Sequence, residues 1–367
     1  MTNQQNLEIV VYVGTYTQKL PHVNGQADGI YVYRLDLSSG ALSYQSKVSG
    51  MVNPAFLAID PAGRYLYAIR AVGEEDGPAV SAFSIDPTTK ELAYLNEQSS
   101  HGSSPCHVSV DRTGQFVLVA NYRGGNVAML PIEHDGRLGA ATDVVQHYGS
   151  SLDSGAAHPH SITFDASNRF AFVADLGIDK IMIYELDLAQ GLLAPNGHSQ
   201  LQAGAGPRHF TFHPNGRYAY VINELNSTIN AFAYDDTNGS LTPLQTVSTL
   251  PDDFSGTNYC ADIHISPSGK FLYGSNRGHD SIVIFAIDEN TGMLTYIAHE
   301  PTQGQFPRNF AIDPTGTYLL AANQNSNTVV TFRIDQQTGE LNAIHMSHIP
   351  TPVCLVMLAI HLRRDIS

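Results

Sequence analysis

The sequence predicts an all-β fold, a seven-bladed β-propeller with four antiparallel strands in each blade. Three observations predict it: a segment that recurs about every fifty residues, many turn-forming residues, and little charge. The 367 residues include 31 Gly and 19 Pro, and only 14% are Asp, Glu, Lys or Arg, against about 25% in ordinary domains. Coiled coils and helical bundles use many charged residues, so this composition argues against them. Four short strands in about fifty residues are typical of a propeller blade.

The repeat is read from six similar segments, of which LAIDPAGRYLYAIR and FAIDPTGTYLLAANQ are two. The six segments begin at Leu57, Val108, Ile162, Phe210, Ile263 and Phe310. Their turn residues Gly63, Gly114, Asn168, Gly216, Gly269 and Gly316 are spaced by 51, 54, 48, 53 and 47 positions. A repeat of this length also explains why 367 residues need not be two domains, so we predict a single domain over residues 1–367.

Within each unit, the pattern predicts the four strands in order. A short apolar strand comes first, and an Asp-Pro-x-Gly turn reverses the chain because Pro presets φ and Gly accepts positive φ. The second strand is rich in Tyr, Phe, Val and Ile, as in RYAYVIN, which favours β-structure. A third strand such as INAFAYDD or SIVIFAID follows, and a turn such as TNGSL or NTGML leads to the fourth.

The two ends of the chain supply the seventh blade. VVYVGTYT near the N-terminus resembles a second strand that lacks its first strand, and the segment from Pro352 to Leu358 resembles a first strand. We therefore expect residues 352–358 to pair with residues 8–15 and close the ring without a free edge. A parallel β-helix is the alternative, but its repeats are shorter. Residues 361–367 are expected to form a disordered tail.

Charge and cysteine content limit the partners and the compartment. The net charge of −15 argues against nucleic acids and anionic membranes, which attract basic surfaces. The N-terminus has no basic and apolar segments of a secretory signal, and the apolar run from Val353 to Ile360 is too short to span a membrane. Three cysteines without CxxC spacing favour reduced thiols and a cytoplasmic protein, without a zinc site.

Unusual residues gather where first strands begin and second strands end, and these places lie on the same face of a propeller. First strands begin with His107, His158, His160, Arg208, His209 and Arg308, and second strands end with Arg123, Asn223, Glu224, Asn276 and Arg277. We therefore predict one mouth of the channel that carries arginine, histidine and one glutamate. Arginine forks bind phosphate and carboxylate groups, so the expected partner is a small anionic substrate.

Structural interpretations of these residues remain open. The asparagines recur in most blades and are typical of turn caps, and His209 can be packed rather than exposed to the channel. His158 and His160 could bind a metal, but no carboxylate or third ligand is obvious, so we predict no metal and no cofactor. HExxH, P-loop and GxSxG motifs are absent from the sequence, which excludes those sites.

Long segments resemble the seven-bladed propeller lactonase family, the bacterial-type 6-phosphogluconolactonases related to fungal carboxymuconate lactonizing enzymes. These segments are VGTYT, HPH, GPRHFTFHPNGRYAYVINE, CADIHISP with SNRGHDSI, and FPRNFAIDPTG with AANQNSN. The resemblance covers nearly the whole chain. It implies four catalytic residues, His160, Arg208, Glu224 and Arg277. We expect substrate-binding roles for His158, His209, Arg308, Arg123, His107, Asn223 and Asn276.

The resemblance implies hydrolysis of 6-phosphogluconolactone in the pentose phosphate pathway, with His160 as general base and arginines that hold the oxyanion or the phosphate. A muconate-type cycloisomerase or lactonase is an alternative, because its carboxylate substrate is also an anion. A non-enzymatic scaffold is a third, because many propellers bind partners. The concentration of reactive residues at one mouth favours an enzyme. The sequence favours no particular oligomeric state.

Overall fold

The strands of this protein form seven four-stranded antiparallel sheets around a central channel. They are seen in a computed structural model that describes residues 7–149 and 155–361. Counted outward from the channel, blade 1 consists of β30 (Pro352–His361), β1 (Leu7–Thr15), β4 (Gly29–Leu35) and β5 (Leu42–Ser49). The seven blades confirm the predicted fold class.

The other blades each use four consecutive strands. Blades 2 to 4 are β6 (Leu57–Ile59), β7 (Tyr65–Arg70), β8 (Ala79–Ile85) and β9 (Leu92–Ser99); β10 (Pro105–Val110), β11 (Phe116–Asn121), β12 (Asn126–Pro131) and β13 (Asp143–Gln146); and β14 (Pro159–Phe164), β15 (Phe170–Asp175), β16 (Lys180–Asp187) and β17 (Leu192–Gln200). Blades 5 to 7 are β18 (Pro207–Phe212), β19 (Tyr218–Asn223), β20 (Thr228–Asp235) and β21 (Ser240–Ser248); β22 (Tyr259–Ile265), β23 (Phe271–Arg277), β24 (Ser281–Ile287) and β25 (Leu294–Pro301); and β26 (Pro307–Ile312), β27 (Tyr318–Asn323), β28 (Thr328–Ile334) and β29 (Leu341–His348).

Blade 1 contains both ends of the described chain. β30 pairs antiparallel with β1 from Leu7 opposite His361 to Thr15 opposite Pro352, so the predicted closure is confirmed. His361 still belongs to this strand, and the predicted tail therefore begins at least one residue too early. Residues 362–367 lie outside the described part of the chain. The inner strand of blade 1 thus comes from the opposite end of the sequence.

The second strand of each blade is the most deeply buried. Every residue of β11, β15, β19 and β27 is buried, because apolar side chains on both faces pack against the two neighbouring blades. The fourth strands alternate between half-buried and exposed residues, as in β5. Full burial of each large apolar side chain contributes roughly 1.5–3 kcal/mol, so the interfaces between blades stabilise the ring.

Tyrosines of second strands connect neighbouring blades through their hydroxyl groups. Tyr67, Tyr220 and Tyr273 donate hydrogen bonds to the backbone oxygens of glycines in the outer hairpin of the next blade. Tyr318 of blade 7 makes the same kind of bond to Leu37 of blade 1, at 3.0 Å. The last blade is therefore joined to the first in the same way as the others.

A β-bulge near the start of the inner strand determines which side chains face the mouth. In blade 3, Pro105 and His107 pair with the consecutive residues Asn121 and Ala120, so Cys106 is an extra residue without a partner. The same shift occurs in four other blades. The bulged residues of blades 1, 3, 4, 5 and 7 are Val353, Cys106, His160, Arg208 and Arg308. Bulges redirect side chains and are frequent beside active sites.

Outside the blades, the described residues form a short hairpin and a 3₁₀ turn, both on loops. β2 (Lys19–Leu20) and β3 (Val23–Asn24) form a small hairpin between β1 and β4. A single 3₁₀ turn spans Glu74–Asp76. In the two described ranges, no helix is long and apolar enough to cross a membrane.

Candidate active site

A cavity of about 410 Å³ opens at the mouth predicted from the sequence. All seven blades contribute to its wall. Its polar lining residues include Tyr16, His22, Cys106, Tyr122, Arg123, His160, Glu224, Tyr259, Arg277 and Arg308. The volume is in the range of about 300–1,000 Å³ typical of small-molecule sites.

Glu224 lies between two arginines from different strands. Its Oε2 is 2.9 Å from Nε of Arg208 and 2.8 Å from Nη2 of Arg277. The Arg208 Nε–H is not directed at that oxygen, so this contact is an ion pair rather than a linear hydrogen bond. Burial favours a raised pKa for Glu224, but Arg277, Arg208 and Arg308 together lower it. The carboxylate is therefore ionised and shared, and the three side chains carry a net charge of about +1.

Backbone oxygens fix both guanidinium groups. Nη1 of Arg208 donates to the oxygen of Ala261 at 2.6 Å. Arg277 donates to the oxygens of Tyr259 and Cys260 at 3.2 and 2.9 Å, and its guanidinium is 5.1 Å from the centre of the Phe306 ring. Burial, followed by the charge of Arg277, lowers the pKa of Arg208 to about 9. Both arginines are held in place before any ligand arrives, as electrostatic stabilisation requires.

His160 lines the cavity beside this cluster and has an unusual environment. The residue is only 5% exposed, and its Nδ1 is buried without a hydrogen-bond partner in the described part of the chain. Burial and then the charge of Arg208 lower the pKa of His160 well below its usual value. An unperturbed histidine has a pKa of about 6.5. The imidazole is neutral at pH 7 and can accept a proton.

A layer of polar residues beneath the cavity supports Arg208. His209 Nδ1 is 2.7 Å from Oδ1 of Asp262, and its Nε2 is 3.3 Å from Nη1 of Arg208. The pKa of Asp262 lies well below its ordinary value, because His264 and His209 outweigh the effect of burial. Its carboxylate can only accept hydrogen bonds, so His209 carries its proton on Nδ1 and presents a lone pair to Arg208. Burial and then Arg208 lower the pKa of His209 to about 4.

Arg308 and Arg123 differ from the arginines of the Glu224 cluster. Both line the cavity, but no carboxylate of the described residues is within 4.0 Å of their side-chain nitrogens. Arg308 is half-buried and lies 5.7 Å from the centre of the Tyr16 ring, whereas Arg123 is exposed at the rim. These two charges are not neutralised by an ion pair within the described residues.

Of the remaining predicted residues, five do not line the main cavity. His209 lines a space of about 20 Å³ beneath it, together with Arg208. His107 lies lower in the channel, 5.6 Å from the His209 ring. The ring of His158 stacks on the ring of Tyr122, with their centres 4.4 Å apart. Tyr122 lines the cavity, and His158 lies behind it.

The two asparagines have structural contacts instead of contact with the cavity. Asn276 Nδ2 donates to the oxygen of Thr249 at 2.8 Å, and Asn223 Nδ2 contacts Thr228 and Asn230 at 2.8 and 2.6 Å. Both residues are fully buried. The bond to a backbone oxygen fits the interpretation of Asn276 as a turn cap, whereas Asn223 bonds side chains of its neighbouring strand. Neither lines the cavity, and we leave both out of the proposed site.

Several lining residues were not selected from the sequence. Tyr122 and Phe306 lie next to predicted residues in NYR and FPRNF, and Tyr16 lies in VGTYT, so their position in the repeat could have indicated them. His22 lies on the β2–β3 hairpin, which has no counterpart in the other blades. No repeat comparison could therefore have found it.

Nothing in the donor set suggests a metal centre or a reactive thiol. No group of three or more His, Cys, Asp or Glu side chains is arranged to hold a metal ion within the described ranges. The thiol of Cys106 lines the cavity, but burial raises its pKa to about 12. A thiol with this pKa is protonated at neutral pH and is a poor nucleophile.

Known proteins share this fold and much of this sequence. Residues 10–357 match the family described as "Lactonase, 7-bladed beta-propeller". The chain is 38% identical to a 6-phosphogluconolactonase of Bacillus subtilis over 82% of this chain and 83% of the relative. It is 39% identical to a 6-phosphogluconolactonase of Formosa agariphila over 82% and 86%.

A solved structure of another lactonase has the same fold. The periplasmic gluconolactonase PpgL of Pseudomonas aeruginosa is 30% identical, with a TM-score of 0.89 over 96% of this chain and 99% of that one. The match spans all seven blades, so the resemblance recognised from the sequence is confirmed. The chain belongs to the seven-bladed β-propeller lactonase family.

Proposed function

We propose that the protein hydrolyses 6-phosphogluconolactone to 6-phosphogluconate. The observation that carries the proposal is the cavity itself, where a neutral, buried histidine adjoins a fixed cluster of two arginines and one glutamate. A neutral imidazole can activate water, and fixed positive charge can stabilise an oxyanion. The names of the relatives from Bacillus subtilis and Formosa agariphila support the same substrate.

In the proposed reaction, His160 accepts a proton from water as the water oxygen bonds to the lactone carbonyl carbon. The carbonyl oxygen becomes an oxyanion, which Arg277 stabilises from the cavity wall while Arg208 adds positive charge from below. The carbon–oxygen bond of the ring then breaks, and the imidazolium returns its proton to the leaving alkoxide. Glu224 keeps both guanidinium groups in position throughout.

The lowered pKa of His160 fits this role once substrate is bound. Arg208, Arg308 and Arg277 contribute to that lowering after burial, so an anionic substrate that neutralises part of their charge raises the basicity of the imidazole. A histidine that gains basicity only in the complex does not take up a proton beforehand. His158 and Tyr122 help to position His160, since the Tyr122 ring contacts both His158 and His160.

We also propose that the reaction belongs to the pentose phosphate pathway and takes place in the cytoplasm, on a small anionic substrate and without nucleic acid or membrane partners. Three free cysteines support a reducing compartment. The concentration of charged side chains in a cavity, rather than on an exposed patch, supports an enzyme over a scaffold. Fractionation of cells followed by immunodetection tests the location.

The decisive experiment compares freshly prepared 6-phosphogluconolactone with a muconolactone, each corrected for spontaneous opening. We expect acceleration of the phosphorylated lactone and little of the muconolactone. His160→Asn should lower kcat by about 10²–10⁴-fold, the usual effect of losing a general base, with an unchanged melting temperature.

His345→Asn, at an exposed position of β29, is the matched control and should retain full activity. Full activity of His160→Asn would remove this residue from the mechanism. A preference of the wild type for the muconolactone would replace the proposed substrate, and no acceleration of either lactone would favour the scaffold.

A further inference from the structure

The cavity contains two groups of arginines. The charge of one group is partly neutralised by a carboxylate, and the charge of the other group is not. The Arg208–Glu224–Arg277 cluster shares one carboxylate between two guanidinium groups, which leaves a net charge of about +1. Arg308 and Arg123 have no such partner within 4.0 Å among the described residues, which leaves a charge of +2. In a chain of net charge −15, two arginines on one cavity without a carboxylate partner among the described residues suit an anionic ligand.

A third residue joins this second group from the β2–β3 hairpin. His22 lines the same cavity, and its ring meets that of Tyr16 edge-on at 5.6 Å. The guanidinium of Arg308 lies 5.7 Å from the centre of the same Tyr16 ring. Tyr16 therefore connects the hairpin to Arg308. Burial and then the charges of Arg308, Arg123 and Arg277 lower the pKa of His22, which places the imidazole within the field of these arginines.

We propose that Arg308, Arg123 and His22 form a phosphate subsite, separate from the Arg208–Glu224–Arg277 cluster that acts on the lactone carbonyl. This inference rests on the proposed function and assigns the two ends of the substrate to two parts of the cavity. A phosphate monoester carries about −1.5 to −2 charges at pH 7, which matches the two unpaired guanidinium groups. The single negative charge of the oxyanion matches the net +1 of the other cluster.

The two groups also lie on different blades, although Arg308 lines the small space beneath the cavity together with Arg208. His160, Arg208, Glu224 and Arg277 lie on the adjacent blades 4, 5 and 6, whereas Arg308 and His22 lie on blades 7 and 1, which are also adjacent. Arg123 extends from the rim of blade 3. A lactone held by its phosphate at one side of the cavity therefore has room to place its carbonyl at the other side.

The test measures substrate preference, not activity alone. The ratio of kcat/KM for 6-phosphogluconolactone to kcat/KM for unphosphorylated gluconolactone is determined for the wild type and for Arg308→Gln. We expect the ratio to fall about tenfold or more, since hydrogen bonds to charged groups contribute most of this preference. Arg123→Gln, at an exposed position that cannot affect folding strongly, should lower the ratio by a smaller factor, and His22→Asn should do so as well.

Arg64→Gln is the matched control, because Arg64 is exposed and lies beside the turn between β6 and β7, at the other face of the propeller. It removes the same charge and should leave the ratio unchanged. A ratio that stays at the wild-type value in both Arg308→Gln and Arg123→Gln overturns the subsite.

A binding measurement shows whether the phosphate subsite or the proposed lactonase function is wrong. Calorimetry with 6-phosphogluconate should show binding to the wild type and weaker binding to Arg308→Gln, and gluconate should bind weakly to both. Loss of 6-phosphogluconate affinity in Arg308→Gln without any lactonase activity in the wild type would support the subsite and contradict the reaction. Equal binding to both proteins would contradict the subsite whatever the activity.

Discussion

The carboxylate of Asp262 accepts hydrogen bonds from five donors beneath the cavity. Its Oδ1 accepts from Nδ1 of His209 at 2.7 Å and from the amide of Ile263 at 3.0 Å. Its Oδ2 accepts from Nδ2 of Asn309 at 2.5 Å, and His264 and the amide of Phe310 contact it at 3.0 and 3.3 Å. This carboxylate therefore fixes the proton on His209 and, through His209, the position of Arg208.

We expect Asp262→Asn to affect both stability and catalysis. An amide removes the charge and directs an NH₂ group at neighbouring donors, so the free energy of unfolding should fall by about 3 kcal/mol. Because His209 loses its fixed tautomer, Arg208 is held less firmly, and kcat for the lactone should fall about tenfold with a smaller change in KM. Thermal unfolding and steady-state kinetics measure the two effects.

Asp313→Asn provides the comparison. Asp313 is equally buried and accepts backbone hydrogen bonds in the turn between β26 and β27, on the opposite face. This variant should lose stability and keep its kcat. An unchanged kcat in Asp262→Asn as well would show that Asp262 is structural only.

Position in the repeat placed the four members of the proposed catalytic group at one mouth, because the beginnings of first strands and the ends of second strands meet on one face, and the resemblance to the lactonase family selected these four as catalytic. It could not predict how they pair. Glu224 and Arg208 belong to blade 5 and Arg277 to blade 6, and contacts across blades depend on side-chain directions that no repeat encodes. The bulges at His160, Arg208 and Arg308 each follow a proline, which is typical of bulges, but the residue pattern does not give the direction of the bulged side chain.

At the scale of elements, the junction of β1, β30 and blade 2 leaves no space for a side chain at Gly14. A Cβ on Gly14 would be 2.7 Å from the oxygen of Pro54 and 3.1 Å from Cβ of Cys354 and Cγ of Leu57. The same backbone oxygen accepts a hydrogen bond from the amide of Thr15 at 3.0 Å. The glycine therefore permits the close approach of the closing strand to its neighbour.

Gly14→Ala should destabilise this junction by about 1–3 kcal/mol, the usual effect of overpacking a filled interface. Thermal or urea unfolding measures the change. Gly73→Ala is the matched control, because its Cβ would meet nothing within 4 Å and its φ of −69° suits alanine. The control should be as stable as the wild type or slightly more stable, and equal stability of Gly14→Ala would contradict the packing argument.

The closing strand itself was predictable from the sequence, since each end of the chain contains one half of a repeat. The β2–β3 hairpin was not, because it is an insertion between β1 and β4 with no equivalent in other blades. Its short strands of two residues give no alternation of apolar and polar residues for a pattern to detect. The phosphate subsite proposed above depends on this element.

For the whole molecule, three histidines in the channel contribute to the response to acid. Burial is the first cause that lowers the pKa of His107, His160 and His209. The Nδ1 of His107 accepts a hydrogen bond from the amide of Ile162 at 3.4 Å, as a neutral imidazole can. The unfolded chain binds protons at these positions near pH 6.5, whereas the folded chain does not.

Stability should therefore fall as the pH falls from about 6.5 toward about 4, where His209 itself titrates. Each such histidine contributes up to about 1.4 kcal/mol per pH unit in this window. His264 acts in the opposite direction, because Asp262 raises its pKa despite burial, and it adds stability that is lost above its folded pKa. Melting temperatures measured between pH 4.5 and 8 test the balance.

His107→Gln should reduce this pH dependence, since it removes one of the three groups. His345→Gln, at an exposed position, should not alter it. A melting temperature that is constant between pH 5 and 7 would contradict the assignment of neutral histidines in the channel.

The position of β30 has a consequence for synthesis of the protein. This strand is the last part of the described chain to leave the ribosome, yet it is the innermost strand of the blade that begins at Leu7. Until it emerges, β1 has an unpaired edge that other chains can join, and the small space beneath the cavity lacks Val353. We therefore expect a nascent chain to be prone to aggregation until β30 has emerged from the ribosome, and a chain that stops a few residues before Pro352 to remain so.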